Sequence, residues 1–172
     1  MLFNRTFAMP NADTFSIKPI GEFVRRYLGE THVSVDPFAR NKDWCTWTND
    51  LNPATSANFH MDAAEFCTML HSRGVKCTLG IFDPPYSPRQ ISECYKGVGK
   101  LVTTQDTQSS FWRKNKDALD LLIPAGGIVL TFGWNSMGMG LNRGYSPIEI
   151  LMVTHGGAHN DTICMAEIKE AR

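Results

Sequence analysis

No stretch of this 172-residue sequence is long and apolar enough to cross a membrane. The opening residues, MLFNRTFAMPNADTF, lack the apolar core of a secretory signal, so the sequence predicts a cytoplasmic protein. Five cysteines, at positions 45, 67, 77, 94 and 164, form no CxxC pair. That spacing offers neither a disulfide framework nor a zinc knuckle, and predicts buried, reduced thiols. His155 and His159 lie near Cys164 but complete no set of four ligands, so no metal is expected. Net charge is zero, which removes the global basic field that supplies most non-specific affinity for nucleic acid. There is no repeat and no low-complexity linker. The length suits one domain over residues 1–172 and leaves little room for a second.

What is present is an alternation of two periods. Ile17 to Leu28 carries apolar residues at helical spacing, with Pro19 suited to a first turn and Gly29 to a stop. Ala63 to Leu70 and Ser109 to Leu122 also read as helices. Strands are predicted at His32 to Val35, Cys45 to Thr48, Cys77 to Phe82 and Ile128 to Phe132. Glu149 to Thr154 and Thr162 to Lys169, joined by a Gly-rich turn, read as an antiparallel hairpin. Strands alternating with helices imply parallel crossovers, hence an α/β, doubly wound sheet that is mostly parallel, with that hairpin at its end. Ligands in such sheets sit beyond the carboxyl ends of the strands. Three predicted strands stop there at an acid: Asp36, Asp50 and Asp83.

Asp83-Pro84-Pro85-Tyr86 follows directly on the apolar run TLGIF. Two consecutive prolines cannot continue a central strand, because neither has an N–H. They stiffen the loop and leave a carboxylate among carbonyls, a cluster of acceptors only. Such a cluster suits an exocyclic amine, which has two N–H donors and a lone pair to aim at an electrophile. Tyr86 is placed to stack on a nucleobase rotated out of its helix.

The Asp-Pro-Pro-Tyr motif resembles the catalytic motif of amino-methylating DNA methyltransferases. Val35-Asp36-Pro37-Phe38-Ala39 resembles that family's S-adenosylmethionine-binding loop, written DPFxGxG, and Phe15-Ser16-Ile17-Lys18-Pro19 resembles its PTxKP segment. Pro124-Ala125-Gly126-Gly127 resembles the PGG turn before its fifth strand. The order DPFA, NDLNP, HMDA, DPPYSPRQ, FGWNS is similar to that of small phage-type adenine methyltransferases. The resemblance implies a Rossmann-like fold with a seven-stranded sheet. It implies methyl transfer from S-adenosylmethionine to adenine N6 in DNA, in a bacterial or phage setting. Catalysis would fall to Asp83, Pro84, Pro85 and Tyr86. The cofactor would be held by Phe15, Ser16, Ile17 and Lys18, by Asp36, Pro37, Phe38 and Ala39, by Asn49, Asp50 and Leu51, by Asp62 and Ala63, and by Asp83. Asp50 would face the ribose, and Asp62 the adenine.

Two departures carry weight. Arg40 stands where the usual loop leads into glycine, which shifts the expected hold on the cofactor toward side chains such as Phe38 and Asn41. No insertion is large enough for a separate target-recognition domain. Residues 86–116 carry six basic and two acidic side chains, a local charge of +4. Arg89, Lys96, Arg113, Lys114 and Lys116, with Tyr86, Ser87, Asn135 and Arg143, are therefore the expected nucleic-acid contacts. A homodimer is open. So are cytosine N4, RNA or a free nucleotide as acceptor, and a non-catalytic protein that binds S-adenosylmethionine or blocks restriction.

Overall fold

The computed structural model describes residues 1–29, 33–85, 109–157 and 159–171. Seven strands form one sheet: β1 (Leu2–Phe7), β2 (Ser34–Asp36), β3 (Trp47–Thr48), β4 (Leu79–Phe82), β5 (Ile128–Gly133), β6 (Tyr145–Thr154) and β7 (Thr162–Lys169). Their spatial order is β1-β6-β7-β5-β4-β2-β3. β7 alone runs against its neighbours, pairing antiparallel with both β5 and β6. The expected doubly wound, mostly parallel sheet with a C-terminal antiparallel hairpin is the one observed.

Helix α1 (Lys18–Leu28) has Pro19 in its first turn and buries Ile20, Phe23 and Val24. That stripe packs on Leu79, Ile81, Leu130, Phe132, Leu151 and Val153 on one face of the sheet. Helices α2 (Ala63–Ser72) and α3 (Ser109–Asp120) cover the other face. α2 starts where Asp62 accepts hydrogen bonds from the Ala64 and Glu65 N–H groups, which satisfies two of the donors a helix start leaves free. Phe66, Leu70, Leu119 and Leu122 meet Val35 and Val129 in this second core. α1 is also tied to β6 by a polar clasp. Arg26 gives Glu149 two bonds of 2.8 Å, and the Tyr27 hydroxyl gives it a third at 2.7 Å. Burial, with the bond to Glu149 added, pushes the Tyr27 hydroxyl up to about 12.

Some predicted bounds move, and one strand is added: β2 and β4 start two residues later than predicted. β1 carries no periodic signal, because on an edge strand neither face is buried enough to imprint an inside–outside contrast. β3 shrinks to Trp47–Thr48 from the predicted Cys45 to Thr48. β6 begins at Tyr145 rather than Glu149, since Pro147 sits at a register shift where no ladder N–H is required.

Candidate active site at the carboxyl rim of the sheet

Asp36 ends β2, Asn49 and Asp50 follow β3, and Asp83 follows β4, so the three acids share one rim. Asp36 is buried and its Oδ1 accepts the Phe38 N–H at 2.9 Å. Burial pushes its carboxyl up to about 8; the Phe38 bond works against this, and the charges of Asp83 and Asp50 add to it. The three acids therefore feel one another. An unfolded aspartate loses its proton near pH 4. Folded Asp36 keeps it to about pH 8, so the folded state loses stability as pH rises across that window. Asp36→Asn keeps an acceptor for Phe38 but cannot ionise. Its melting temperature should match the wild type near pH 4 and exceed it by several degrees at pH 9; parallel pH profiles would refute this.

The loop after β2 is shaped by Arg40, the one described non-glycine residue with positive φ, at 52°. A left-handed backbone costs a side-chain-bearing residue about 1–2 kcal/mol. Two contacts hold it there. Its N–H meets Asp50 Oδ2 at 3.1 Å, and its guanidinium meets the Ala12 carbonyl at 3.0 Å. The loop thus keeps a glycine-like bend without glycine. Asn41, expected to hold cofactor, accepts the Ser56 N–H at its Oδ1. Asp50 Oδ1 accepts the Asn52 N–H at 2.8 Å, so each carboxylate oxygen has one fixed donor and a further lone pair. Leu51 is the half-buried residue between them.

The segment before α1 is latched to this loop. Lys42 pairs with Asp13 at 2.9 Å, and Ser16 Oγ donates to Asp13 at 2.7 Å. Burial raises the Asp13 carboxyl, but the bonds from Lys42 and Ser16 outweigh it and hold it below the usual range. Phe15 stacks on Trp44 and tilts against Phe132, while Ile17 is buried and Lys18 opens α1. The Phe15 carbonyl lies over Gly21, where a Cβ would approach its oxygen to 2.6 Å. Gly21→Ala should accordingly cost about 1–3 kcal/mol, the range for overpacking. It should also displace Phe15, visible as a shift in Trp44 fluorescence; an unchanged melt and spectrum would refute the close approach.

Beside Asp83 a pocket of about 150 Å³ opens between β4, β5 and α3. Phe82, Pro84 and Pro85 line one side, Trp112 and Lys116 another, and Thr131 to Asn135 with Gly138 a third. Phe38, Phe82 and Trp112 meet edge to face, with ring centroids 5.5–6.2 Å apart, so ring contacts tie the loop after β2 to the strand before Asp83. The segment carrying Gly138 is fastened from below by Glu167 of β7. That buried carboxylate accepts the Met139 N–H at 2.7 Å and the Gly140 N–H at 3.4 Å. A Cβ on Gly138 would overlap it. Burial raises the Glu167 carboxyl, and the Met139, Gly140 and Lys116 contacts oppose the rise.

Several expected roles change. Lys116 was predicted to face phosphate. It instead lines the pocket, donates to the Gly138 carbonyl and lies 5.6 Å over the Phe82 ring. Burial, with repulsion from Arg143, lowers its pKa. Arg143 is an internal clamp, binding Asp117 at 2.7 Å and the Met139 carbonyl at 2.8 Å. Lys114 lies 3.9 Å from Asp62, whose carboxylate already caps α2, and Ala63 is the first residue of that helix. Arg113 remains exposed, 3.9 Å from Asp117. Asn135 lines the pocket and bonds the Met137 N–H. Asn49 is fully buried, its amide spent on the Pro37 and Met61 backbones, so it braces the Pro37–Ala39 loop and cannot reach a ligand. Tyr86, Ser87, Arg89 and Lys96 lie outside the described residues. His155 is buried, with both ring nitrogens engaged by the Ala8 carbonyl and Thr162 Oγ1. Among the described residues no group of three His, Cys, Asp or Glu could hold a metal. Trp112 and Glu167 escaped the sequence reading, although an acid inside the apolar strand TICMAEIK was a visible signal of a buried charge with a task.

No protein-family model matches the chain, and no curated protein matches it. Solved structures do. SMU.776, assigned as a methyltransferase and solved with SAH, aligns over 85% of this chain and 48% of its own, at 10% identity and a TM-score of 0.59. The N-methyltransferase NodS from Bradyrhizobium japonicum aligns over 94% of this chain and 100% of its own, at 9% identity and the same TM-score, 0.59. NSun6 from Pyrococcus horikoshii, solved with SFG, aligns over 83% and 49%, at 12% identity and 0.55. The chain spans about half the length of SMU.776 and NSun6. In its seven-stranded mixed sheet, this chain has the Rossmann-like fold of those methyltransferases.

Proposed function

We propose that the chain transfers a methyl group from S-adenosylmethionine to an exocyclic nucleobase amine, adenine N6 in DNA. One observation carries the reading: Asp83-Pro84-Pro85 leaves the carboxyl end of β4 and borders an aromatic-walled pocket, with Asp36 and Asp50 on the same rim. The donor set fits the cofactor. The charges of Asp83 and Asp50 on the rim suit a sulfonium and an ammonium, and Asp50, held by two backbone N–H groups, has lone pairs left for ribose hydroxyls. SMU.776 binding SAH, the demethylated form, supports the same choice. When bound, S-adenosylmethionine supplies the electrophilic methyl.

The chain's own residues do the rest. Asp83 and the proline-flanked carbonyls accept the amine's N–H bonds and aim its lone pair. The proton leaves after attack, so no strong base is needed. The Phe38–Phe82–Trp112 cluster keeps the cofactor loop and the catalytic loop in one register, and Trp112 and Trp134 give the base apolar walls. The left-handed bend at Arg40 gives the loop after β2 the turn that a glycine there would have given.

Asp50→Ala should weaken S-adenosylmethionine binding about ten- to a hundredfold, the worth of a charge-assisted bond of about 1.5–3 kcal/mol. Calorimetry finding unchanged affinity would rule out the ribose placement. A second reading, transfer to RNA or a free nucleotide, is favoured by Lys116 and Arg143 being engaged within the protein. The test covers both: methyl-labelled cofactor is offered with unmodified DNA, RNA and adenine nucleotides, and products are identified by nucleoside mass spectrometry. N6-methyldeoxyadenosine is expected; labelling of none of the three acceptors would overturn the function.

A further inference from the structure

The second core, under α2 and α3, takes Val129 from β5 and only Tyr145 from β6; it includes nothing from β7 or β1. On β7 the 138–140 segment covers Glu167, and Met165 is buried; beyond them, toward β1, no helix of the described residues covers that face. The link from β5 to β6 holds a short 3-10 turn, Leu141–Arg143, and no helix to lie over it. Strand register shows what is left uncovered. Phe3 is level with Ile150, Arg5 with Met152, and Phe7 with Thr154. Ile163 of β7 is level with Met152. Residues level across a ladder share a face. Phe3 and Phe7 are 58% and 62% exposed, and Ile150, Met152 and Ile163 are half-buried. Leu2, Asn4 and Thr6 point the other way, level with Glu149, Leu151 and Val153 on the α1 side.

We infer that this β1–β6–β7 face is the surface by which two copies of the chain associate about a two-fold axis. Area points to a second copy. Phe3 and Phe7, about 60% exposed, with three partly exposed aliphatic side chains and the stem of Arg5, present on the order of 400–500 Å². A two-fold doubles that to about 800–1,000 Å² in all, the size of a weak, concentration-dependent interface. Shape agrees, since sheet faces pack on one another about 10 Å apart, and a two-fold brings the same patch to both sides. Charge agrees too. Arg5 is the lone charge in the patch, far short of the row of cations a phosphate partner needs, and it stands on the outer strand, where its head can reach water.

The test is sedimentation of the full-length chain between about 1 and 100 µM. The wild type should run near twice its 19.2 kDa mass at the upper end and dissociate on dilution. Phe3→Lys with Phe7→Lys should be monomeric at 100 µM, with an unchanged circular dichroism spectrum. Ile163→Lys, away from the sheet edge, should also dissociate the pair and carries the test if the double variant fails to fold. Leu2→Lys, on the opposite face, should leave the dimer intact. Three results overturn the inference: a monomeric wild type, which gives the face to another occupant; a dimer that survives the face variants; or one that Leu2→Lys breaks equally, which would mean pairing through the strand edge.

Discussion

Asp83→Ala is expected to lose methyl transfer by at least about a thousandfold while binding S-adenosylmethionine within a few-fold of the wild type. Removing one preorganised group aimed at a reacting centre costs about 10²–10³ in rate. Asp83 adds to that by fixing which way the amine's lone pair points. It stands at the carboxyl end of β4, half-buried beside the pocket, where its charge reaches Asp36. The contact it would make to the amine forms only with the acceptor in place, so loss belongs to kcat rather than to cofactor affinity. Single-turnover transfer with saturating cofactor, read beside calorimetry, separates the two. Wild-type turnover in this variant would remove the site from the rim of β4. Asp83→Asn sharpens the test, because its amide places a donor where the acceptor cluster needs none; it should be nearly as inactive as the alanine variant.

Glu167→Ala is expected to lower the melting temperature by on the order of 10 °C and to raise the acceptor KM more than the cofactor Kd. The carboxylate holds the Met139 and Gly140 N–H groups from beneath. Deleting it leaves those donors without their partner at about 1–3 kcal/mol each, and each kcal/mol is worth about 2–4 °C in a chain of this size. It also frees Gly138, whose carbonyl is the anchor for Lys116. Two walls of the pocket would then shift together, whereas Asp36 and Asp50 across the rim would not. Thermal melts and steady-state kinetics check both halves. A variant that loses stability but keeps the acceptor KM would make Glu167 a purely structural group.

Much of this arrangement was legible in the residue pattern, for a common reason. Strands β2, β4 and β5 are buried on both faces, so each writes an apolar run that stops at an acid or glycine, and the rim follows. The failures share a cause as well. Lys116 and Arg143 read as cations for phosphate because a charge run carries no sign of its partner. Those partners, the Gly138 carbonyl and Asp117, come from segments 22 and 26 residues away. Asn49 sits in an acid-bearing motif, yet its amide is sealed between two backbones that meet only in the folded chain. Arg40 marked a lost glycine in the sequence, while its backbone keeps the bend that glycine would have given.

The pairing of β1 with β6 has a consequence for how the chain is made. Ala8 and His155, joined across the ends of those strands, are 147 residues apart. At about 5–20 residues per second, β1 leaves the ribosome roughly 7–30 s before the strand that receives it. Throughout that interval Leu2, Phe3 and Phe7 have no ladder to join. Refolding of the intact chain should be correspondingly slow, because the loop between β1 and β6 must close before either gains from pairing. Until then the nascent chain offers an unpaired strand with two phenylalanines, the kind of target a ribosome-associated chaperone is built to hold.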